Sequence, residues 1–207
     1  MTAQFSIAEA GPEPDRSQSQ WMTPPWLAQR MAQWVRPALF DAAQRAYTLR
    51  ILEPSAGCGH IVRAFRALAP GATIDAVELD PRWAAHLRML ASCHVHEGDY
   101  LARPAPAKRY DLAASNPPYD GGEEADHVEK ILEESERAVL HLPVRSLHGR
   151  GRFEAIWRRF NRSGGEWWIR REARLIARPK YGKDGGSDEI VILDCRRVPG
   201  PCDLEWW

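Results

Sequence analysis

The chain lacks the patterns that mark membrane, secreted and metal-binding proteins. No run approaches the roughly 20 apolar residues that a membrane helix needs. The opening MTAQFSIAEAGPEPDRSQSQ has neither the basic start nor the apolar core of a secretory signal. The cysteines, at positions 58, 93, 195 and 202, form no C-x-x-C pair, which argues against both a zinc site and a disulfide framework. We therefore expect a cytoplasmic protein with reduced thiols, no metal and no membrane contact.

Positive charge is concentrated in one stretch of a chain whose formal net charge is zero. Residues 145–183 hold twelve Lys or Arg against three Glu, with three Trp and one Tyr among them. Arginines interspersed with aromatic rings suit backbone phosphates and stacking on exposed bases, although the same residues also build solvated faces and cores. This basic, Trp-rich segment predicts nucleic-acid binding through Arg145, Arg158, Arg159, Arg170, Arg171 and Lys180.

The length of 207 residues suits one domain of medium size. Residues 1–20 carry Pro, Gly, Ser and Gln with few large apolar groups, so they cannot bury enough surface to offset chain entropy. We expect a disordered tail over residues 1–20 and a single domain over residues 21–207.

Strand and helix patterns alternate along most of this domain. Apolar residues recur at helical spacing from Trp26 to Phe40, after Pro24 and Pro25, which suit a helix start. Such alternation predicts right-handed crossovers and a parallel sheet with helices on both faces. The predicted strands are 48–52, 73–78, 93–96, 110–114 and 138–142, and the predicted helices between them are 60–68 and one that starts at Pro81.

The pattern changes after the fifth strand. A helix is predicted around residues 151–160, and strands at 174–177 and 189–193 flank the turn YGKDGGSD. That turn is rich in Gly and Asp, as a hairpin loop is. The fold expected is therefore α/β, with a mostly parallel sheet and an antiparallel hairpin at its C-terminal end.

A glycine-containing turn and an acidic strand end predict a nucleoside site. The stretch EPSAGCG, residues 53–59, lies between the first strand and its helix, where glycines let the backbone approach a ligand and free N–H groups face a carboxylate. Glu78 ends the second strand within VELDP, and an acid there can accept both hydroxyls of a ribose. We expect a nucleoside-containing cofactor at the carboxyl edge of the sheet.

The form of the glycine turn separates two classes of cofactor. A Gly-x-Gly-x-x-Gly pattern is absent, since position 62 is Val62, and no P-loop lysine follows. A ligand that carries an amino-acid carboxylate therefore fits this turn better than the pyrophosphate of an oxidoreductase cofactor does.

The stretch SNPPY, residues 115–119, follows the fourth predicted strand. The side-chain oxygen of Asn116 and the carbonyl of Pro117 are two acceptors that can hold both hydrogens of an –NH2 group. Holding the amine in this way turns its lone pair out of conjugation toward an incoming methyl group, while Tyr119 can stack on a planar ring. The three residues predict methyl transfer to a planar amine by orientation and a preorganised polar site, without a metal.

These stretches carry a family resemblance. LEPSAGCG, VELDP, GDY at 98–100 and SNPPY resemble, in order, the motifs of class I S-adenosylmethionine-dependent methyltransferases, especially the DNA adenine-N6 branch, and WMTPPWLAQRM resembles the N-terminal cofactor motif of that branch. The resemblance implies a Rossmann-like, seven-stranded methyltransferase fold, S-adenosylmethionine as cofactor, and DNA as partner, with the target adenine flipped from a duplex or already single-stranded. It implies cofactor contacts, including ribose at Glu78 and the adenine amine at Asp99, for Thr23, Pro24, Glu53, Pro54, Ser55, Ala56, Gly57, Gly59, Glu78, Leu79, Asp99 and Tyr100.

The substrate stays open at this point. The NPPY pattern also resembles those of protein-glutamine and RNA methyltransferases, and the basic segment favours a nucleic acid. A catalytically silent nucleic-acid-binding decoy is the alternative from another class, and the presence of Glu78, Asn116 and Tyr119 argues against it. DNA enzymes of this kind often carry a target-recognition domain, for which 207 residues leave no room, so specificity is expected from the basic segment.

Overall fold

A computed structural model describes residues 21–44, 47–90, 93–119, 122–148, 156–160, 165–175 and 189–207, with residues 37–44 and 90 described by their backbone alone. The predicted tail at 1–20, the turn YGKDGGSD and Lys180 lie outside these ranges. No helix within them is long and apolar enough to cross a membrane.

Helices and strands alternate through the first two thirds of the chain. In chain order they are α1 (Pro25–Gln44), β1 (Arg50–Glu53), α2 (His60–Leu68), β2 (Thr73–Glu78), α3 (Pro81–Leu90), β3 (His94–Glu97), β4 (Leu112–Ser115), α4 (Glu123–Glu134), β5 (Arg137–Pro143), β6 (Trp168–Arg174), β7 (Ile190–Arg196) and β8 (Asp203–Trp206). The predicted bounds of α2 and β2 are confirmed, and the other four strands predicted up to β5 end within one residue of their predicted C-terminal bounds.

The strands form one sheet in the order β3-β2-β1-β4-β5-β7-β6-β8. The first five neighbours pair in parallel, whereas β7 is antiparallel to both β5 and β6. The mostly parallel sheet with a C-terminal antiparallel hairpin is thus confirmed. The described part of the chain has eight strands rather than seven, because β8 adds to β6 in parallel at the edge.

Three elements differ from the sequence prediction. Helix α4 has no predicted counterpart, although Val128, Ile131 and Leu132 give it a buried apolar face. Strand β6 begins at Trp168 rather than at residue 174, since its arginines hide the alternation that marks a strand. Of the helix predicted at 151–160, the described residues show only a short 3-10 turn at Trp157–Arg159.

The two faces of the sheet carry separate apolar layers. Side chains alternate along β1, so Ile51 packs with α1 and α2, whereas Leu52 packs with α4 and Trp167. Both strand faces are covered by apolar groups, as expected of parallel strands with helices on both sides. Polar side chains are consequently left to the strand ends, where the sheet can offer them to a ligand.

The C-terminal strand also holds the N-terminal helix. Trp207 packs edge-on against Trp34 of α1, with ring centroids 4.5 Å apart, and both indole N–H groups donate to Glu205. Because the segment 21–23 leads directly into α1, this contact fixes one wall of the cavity described next.

Candidate active site

A cavity of about 560 Å³ opens at the carboxyl edge of β1, β2 and β4. In parallel α/β sheets this edge is where ligands bind. The cavity is lined by Trp21, Met22, Thr23, Pro54, Ser55, Ala56, Gly57, Cys58, His60, Ile61, Glu78, Leu79, Gly98, Asp99, Tyr100, Leu101, Asn116, Pro118, Glu123 and His127.

The glycine turn forms the floor of this cavity. Gly57 and Gly59 have φ angles of 50° and 79°, in the left-handed region that favours glycine. A Cβ on Gly57 would lie 2.6 Å from the sulfur of Met22, so the close approach of the N-terminal segment also requires glycine there. The turn therefore presents bare backbone to a ligand, and Gly59 itself lies behind the cavity wall.

Glu78 ties the two predicted cofactor motifs together. One carboxylate oxygen accepts the N–H of Gly57 at 2.6 Å, and the other accepts the N–H of Asp80 at 2.8 Å. Burial raises the pKa of Glu78 above its usual value despite these hydrogen bonds. The carboxylate lies in the cavity wall in the place predicted for a ribose acceptor, with its rotamer fixed by two backbone donors.

Glu53 is a fully buried acid directly behind the glycine turn. One of its oxygens accepts the N–H of Ser55 at 3.1 Å, and the other makes no hydrogen bond of good geometry, although the Ser115 hydroxyl is close enough to lower the pKa of Glu53. Burial outweighs this effect and raises the pKa well above the usual value, so it favours the neutral acid. Glu53 is not among the residues that line the cavity.

Asp99 and Tyr100 line the far end of the cavity. Asp99 is exposed and accepts the N–H of Leu101 at 2.8 Å, and Tyr100 is buried with its hydroxyl donating to Glu134 at 3.2 Å. His127 of α4 packs beside Tyr100, with ring centroids 5.5 Å apart. The sequence analysis missed α4 and hence this wall; the apolar spacing of Val128, Ile131 and Leu132 was the available signal.

The N-terminal segment closes the opposite side. Thr23 lines the cavity, and its carbonyl oxygen lies 2.7 Å from Nδ1 of His60. Pro24 lies outside the lining, where its carbonyl accepts the N–H groups of Leu27 and Ala28 and so begins α1. Trp21, Met22, His60 and Ile61 are lining residues that the sequence motifs did not single out.

Asn116 lies at the rim where β4 ends. Its Nδ2 donates to the backbone oxygen of Trp21 at 2.7 Å, and its Oδ1 accepts the hydroxyl of Tyr119. Since the Trp21 carbonyl can only accept, the atom facing it must be the amide nitrogen, which fixes the amide orientation. The carbonyl oxygen of Asn116 retains a second lone pair.

The other residues of SNPPY are placed differently from one another. Pro118 lines the cavity, whereas Pro117 and Tyr119 are buried outside the lining. The phenol of Tyr119 points inward to Asn116 and His141, and the guanidinium of Arg145 lies 5.9 Å from the centre of its ring. Base stacking on Tyr119 therefore stays a prediction that requires this ring to be uncovered.

Two arginines in the described part of the basic segment are engaged within the protein. Arg159 pairs with Glu129 at 2.5 Å and with Glu133 at 2.8 Å, and Arg170 donates to backbone oxygens of Val198, Pro199 and Pro201. Arg158 is exposed and Arg171 lies within β6. Arg145 is exposed and lies near the Tyr119 ring, and it is not among the residues that line the cavity.

Two chemical alternatives are disfavoured among the described residues. No group of three His, Cys, Asp or Glu side chains there has the placement for a metal ion. Cys58 faces the cavity, but burial raises its pKa to about 11, so it is a protonated, weakly nucleophilic thiol at neutral pH.

Known proteins resemble this chain mainly in structure. A proposed RNA methyltransferase of Pyrococcus horikoshii superposes with a TM-score of 0.65 at 17% identity, covering 93% of this chain and 97% of that one. The 23S rRNA methyltransferase ErmE gives a TM-score of 0.61 at 20% identity, covering 87% of this chain and 71% of that one. The fold is that of the class I methyltransferases.

Sequence similarity is more limited. No known family profile matches the chain. The release factor glutamine methyltransferase of Koribacter versatilis is 28% identical over 104 residues, which span 48% of this chain and 37% of that relative. S-adenosylmethionine is the methyl donor that these similarities imply.

Proposed function

We propose that the protein transfers a methyl group from S-adenosylmethionine to an exocyclic amine of a nucleobase in RNA. The observation that carries the proposal is the amide of Asn116, a residue of the cavity lining whose amide orientation is fixed by the Trp21 carbonyl. A hydrogen-bond acceptor held in a fixed direction suits a planar –NH2 group. It would repel the negatively charged oxygen of an alkoxide or a carboxylate.

The residues around the cavity fit the cofactor. Glycines with positive φ and the N-terminus of α2 suit its carboxylate, the buried unpaired oxygen of Glu53 suits its ammonium through the turn, and the fixed carboxylate of Glu78 suits its ribose. Asp99 and Tyr100 border the region left for its adenine. The bound cofactor supplies a methyl group on a sulfonium, which is already a good leaving group.

The chain contributes orientation and charge placement. Asn116 and the backbone of the NPPY segment hold the amine so that its lone pair faces the methyl group, and the attack on carbon leaves a proton to be lost from nitrogen. His141 is neutral and buried outside the cavity lining, so it is not placed to act as a general base at the amine. The attacking nitrogen carries a positive charge once it is methylated and is strongly acidic in that form, so water can accept the proton and leave the neutral N-methyl product.

Two observations favour RNA as the substrate. The solved structures reported above that match most of this chain are described as RNA methyltransferases, and the first of them is itself a domain of nearly the same extent. The exposed guanidinium of Arg145, beside the Tyr119 ring, is also a candidate contact for a phosphate. Methylation of adenine N6 in DNA, which the sequence resemblance predicts, has no support beyond the motif itself. DNA is therefore included as one of the substrate pools in the test.

A glutamine side chain is the second candidate. Its amide presents the same planar –NH2 group, and the release factor glutamine methyltransferase shares 28% identity over 104 residues. Arg159 and Arg170, two of the arginines predicted to bind nucleic acid, are occupied by internal partners, which weakens the case for an extended polyanion track.

The deciding experiment incubates the protein with methyl-labelled cofactor and three separate pools: total bacterial RNA, unmethylated DNA and nuclease-treated bacterial protein. We expect label in RNA, located in an N-methylated nucleoside after digestion and mass analysis. Asn116→Ala should lower the labelling rate by about 10²–10³-fold, since it removes one preorganised polar group at the reacting centre.

The control for that variant is Asp203→Ala, which removes a polar side chain at an exposed position outside the cavity lining. Label confined to protein would overturn the RNA assignment in favour of glutamine, and label in DNA would restore the sequence-based prediction. Cofactor binding without transfer to any pool would favour the silent decoy.

A further inference from the structure

A buried hydrogen-bond chain stands behind the rim of the active site. Asn116 Oδ1 accepts from the hydroxyl of Tyr119, and that hydroxyl lies 2.5 Å from Nδ1 of His141 and 3.2 Å from the His141 backbone oxygen. His141 is fully buried within β5, and the imidazole stacks near the Tyr119 ring with an interplanar angle of 15°. None of the sequence motifs includes this histidine.

The number of protons available in this hydrogen-bond chain determines which group donates and which accepts. The Tyr119 hydroxyl has one proton and can give it to Asn116 or to His141, but not to both. If Nδ1 of His141 were a bare acceptor that took this proton, the phenol oxygen and the Asn116 oxygen would face each other with no hydrogen between them. The arrangement is satisfied when Nδ1 carries the imidazole proton and donates to Tyr119, which then donates to Asn116.

Burial supports this assignment. It lowers the pKa of His141 to about 3, so the ring is neutral at pH 7 and holds a single N–H. The ring proton then lies on one of the two ring nitrogens, and the contact of Nδ1 with the Tyr119 hydroxyl favours Nδ1.

We propose that His141 is a positioning residue for methyl transfer: as the Nδ1–H tautomer it orders the hydrogen bonds through Tyr119 so that the Asn116 amide oxygen faces the substrate amine. This inference rests on the proposed function. An amide turned by 180° would present its own NH2 to the amine and could not hold it. Two anchors oppose that rotation, the Trp21 carbonyl on one side and the His141–Tyr119 pair on the other.

The tautomer can be measured on the wild-type chain without substrate. Nitrogen-15 NMR of the imidazole rings distinguishes protonated from bare ring nitrogens, and His141→Asn identifies the resonances of this residue by their loss. We expect a protonated Nδ1 between pH 6 and 8. A bare Nδ1 in this range would overturn the proposal whatever the variants do.

Kinetics then test whether the direction matters for transfer. His141→Leu removes the donor at similar size, and we expect the labelling rate of total RNA to fall about ten-fold, with cofactor affinity by calorimetry unchanged within two-fold. His141→Asn places an amide N–H near the position of Nδ1 and should recover part of that loss. Ile192→Val, at the cross-strand neighbour of His141 in β7, controls for general loosening of the sheet and should leave the rate within two-fold.

A double-mutant cycle separates positioning from mere stability. If His141 acts through Tyr119, His141→Leu adds no further loss in a Tyr119→Phe background. An equal loss in both backgrounds, or an unchanged rate in His141→Leu while Asn116→Ala is inactive, would overturn this inference and leave the proposed function intact. An unchanged rate in Asn116→Ala would instead remove the proposed function, and this inference with it.

Discussion

The half of the sheet formed by β1–β4 and the half formed by β5–β8 differ in what their charged side chains contact. At the ends of β1 and β2, Glu53 and Glu78 are buried with raised pKa values, and burial is the main cause for both. Between β5 and β7, Asp194 accepts from Arg137 at 2.7 Å and from Arg196 at 2.7 Å. The acids of the first half accept hydrogen bonds from backbone N–H groups, whereas the acid of the second half is neutralised by two arginines.

The difference teaches how a charge count in a sequence should be interpreted. Residues 145–183 have a large excess of positive charge, yet Arg159 and Arg170 satisfy carboxylates and carbonyls of the same chain. The glycine turn and SNPPY carry little charge but stand where strands end at an open cavity. Placement at the strand ends, more than the number of charges, distinguishes a site from a surface.

The largest expected effect is a loss of stability when the buried ion pairs between β5 and β7 are broken. Asp194→Asn leaves Arg137 buried beside an uncharged amide, and we expect the free energy of unfolding to fall by about 3–5 kcal/mol, measured by urea denaturation at pH 7. Asp203→Asn, an exposed aspartate on β8, is the control and should change stability by less than about 0.5 kcal/mol.

The same pair predicts an acid dependence. Burial alone would raise the pKa of Asp194, but hydrogen bonds from Arg196 and Arg137 hold it below the usual 3.8. A depressed folded pKa gives stability that is present above 3.8 and lost as the pH falls through the folded value. A wild-type protein that loses no more stability in acid than Asp194→Asn would contradict the pairing.

The second prediction concerns ligand binding in the other half. Glu78→Gln leaves one backbone N–H, that of Gly57 or Asp80, facing an amide NH2 instead of an acceptor, and it removes the charge proposed to meet the ribose. We expect cofactor affinity by calorimetry to fall about 10–100-fold. Glu97→Gln, the neighbour of Glu78 across β2 and β3, is exposed and should bind like the wild type.

Protonation of Glu78 should act in the same direction as its replacement. Because burial raises its pKa, cofactor affinity should begin to fall at a higher pH than the usual glutamate value of 4.5 would give. Affinity that is flat from pH 7 to 4.5 would remove Glu78 from the binding site.

The third prediction concerns a smaller effect, which is an increase in stability rather than a loss. The folded pKa of Glu53 is raised, so its contribution to stability is present below 4.5 and is lost as the pH rises through the folded value. Glu53→Gln removes the buried charge, and we expect the melting temperature at pH 7 to rise by roughly 2–4 °C, which is about 1 kcal/mol for a domain of this size.

This gain in stability should accompany a loss of cofactor affinity. A variant that is both more stable and equally tight in binding would show that Glu53 is not held for the ligand. Together with Asp194→Asn, it tests whether two buried acids of one sheet have opposite roles, since one substitution is expected to destabilise and the other to stabilise.

The smallest expected effect is a difference in RNA binding between variants of Arg145 and Arg170. Arg145→Ala should lower RNA binding and flatten its dependence on salt by about one unit of slope, because one phosphate contact is lost. Arg170→Ala should leave the slope unchanged, since its guanidinium holds the carbonyls of Val198, Pro199 and Pro201. Equal slopes for both variants would return Arg145 to a structural role.

Much of the first half was predictable because its information is local. Strand β2 and helix α2 have the expected bounds, since β-branched residues and helical apolar spacing signal them within a few residues. The glycine turn, Glu78 and Asn116 fall at strand ends, and the parallel connection rule then brings them to one edge. Motif, spacing and topology agree there, so the cavity has the predicted floor and rim.

The second half was less predictable because its arginines mask the pattern. Strand β6 contains three arginines and a glutamate among seven residues, and their partners come from Glu172, from Asp203–Trp206 alongside and from the loop before it. Helix α4, which begins after Gly122 with an acidic first turn, has an apolar face of three residues that is short for recognition by spacing alone. Its contribution to the cavity, His127, could not be located without it.

The sequence by itself determined the class of fold and the edge of the sheet that carries the cavity, and it predicts that Asn116 holds a planar amine. Only the tertiary structure decided which charges are available to a ligand, because pairing depends on neighbours far apart in the chain: Arg137 with Asp194, Trp21 with Asn116, and His141 with Tyr119. Local patterns encode where an element begins and ends, whereas the direction of a hydrogen bond depends on every group that the fold brings within reach of it.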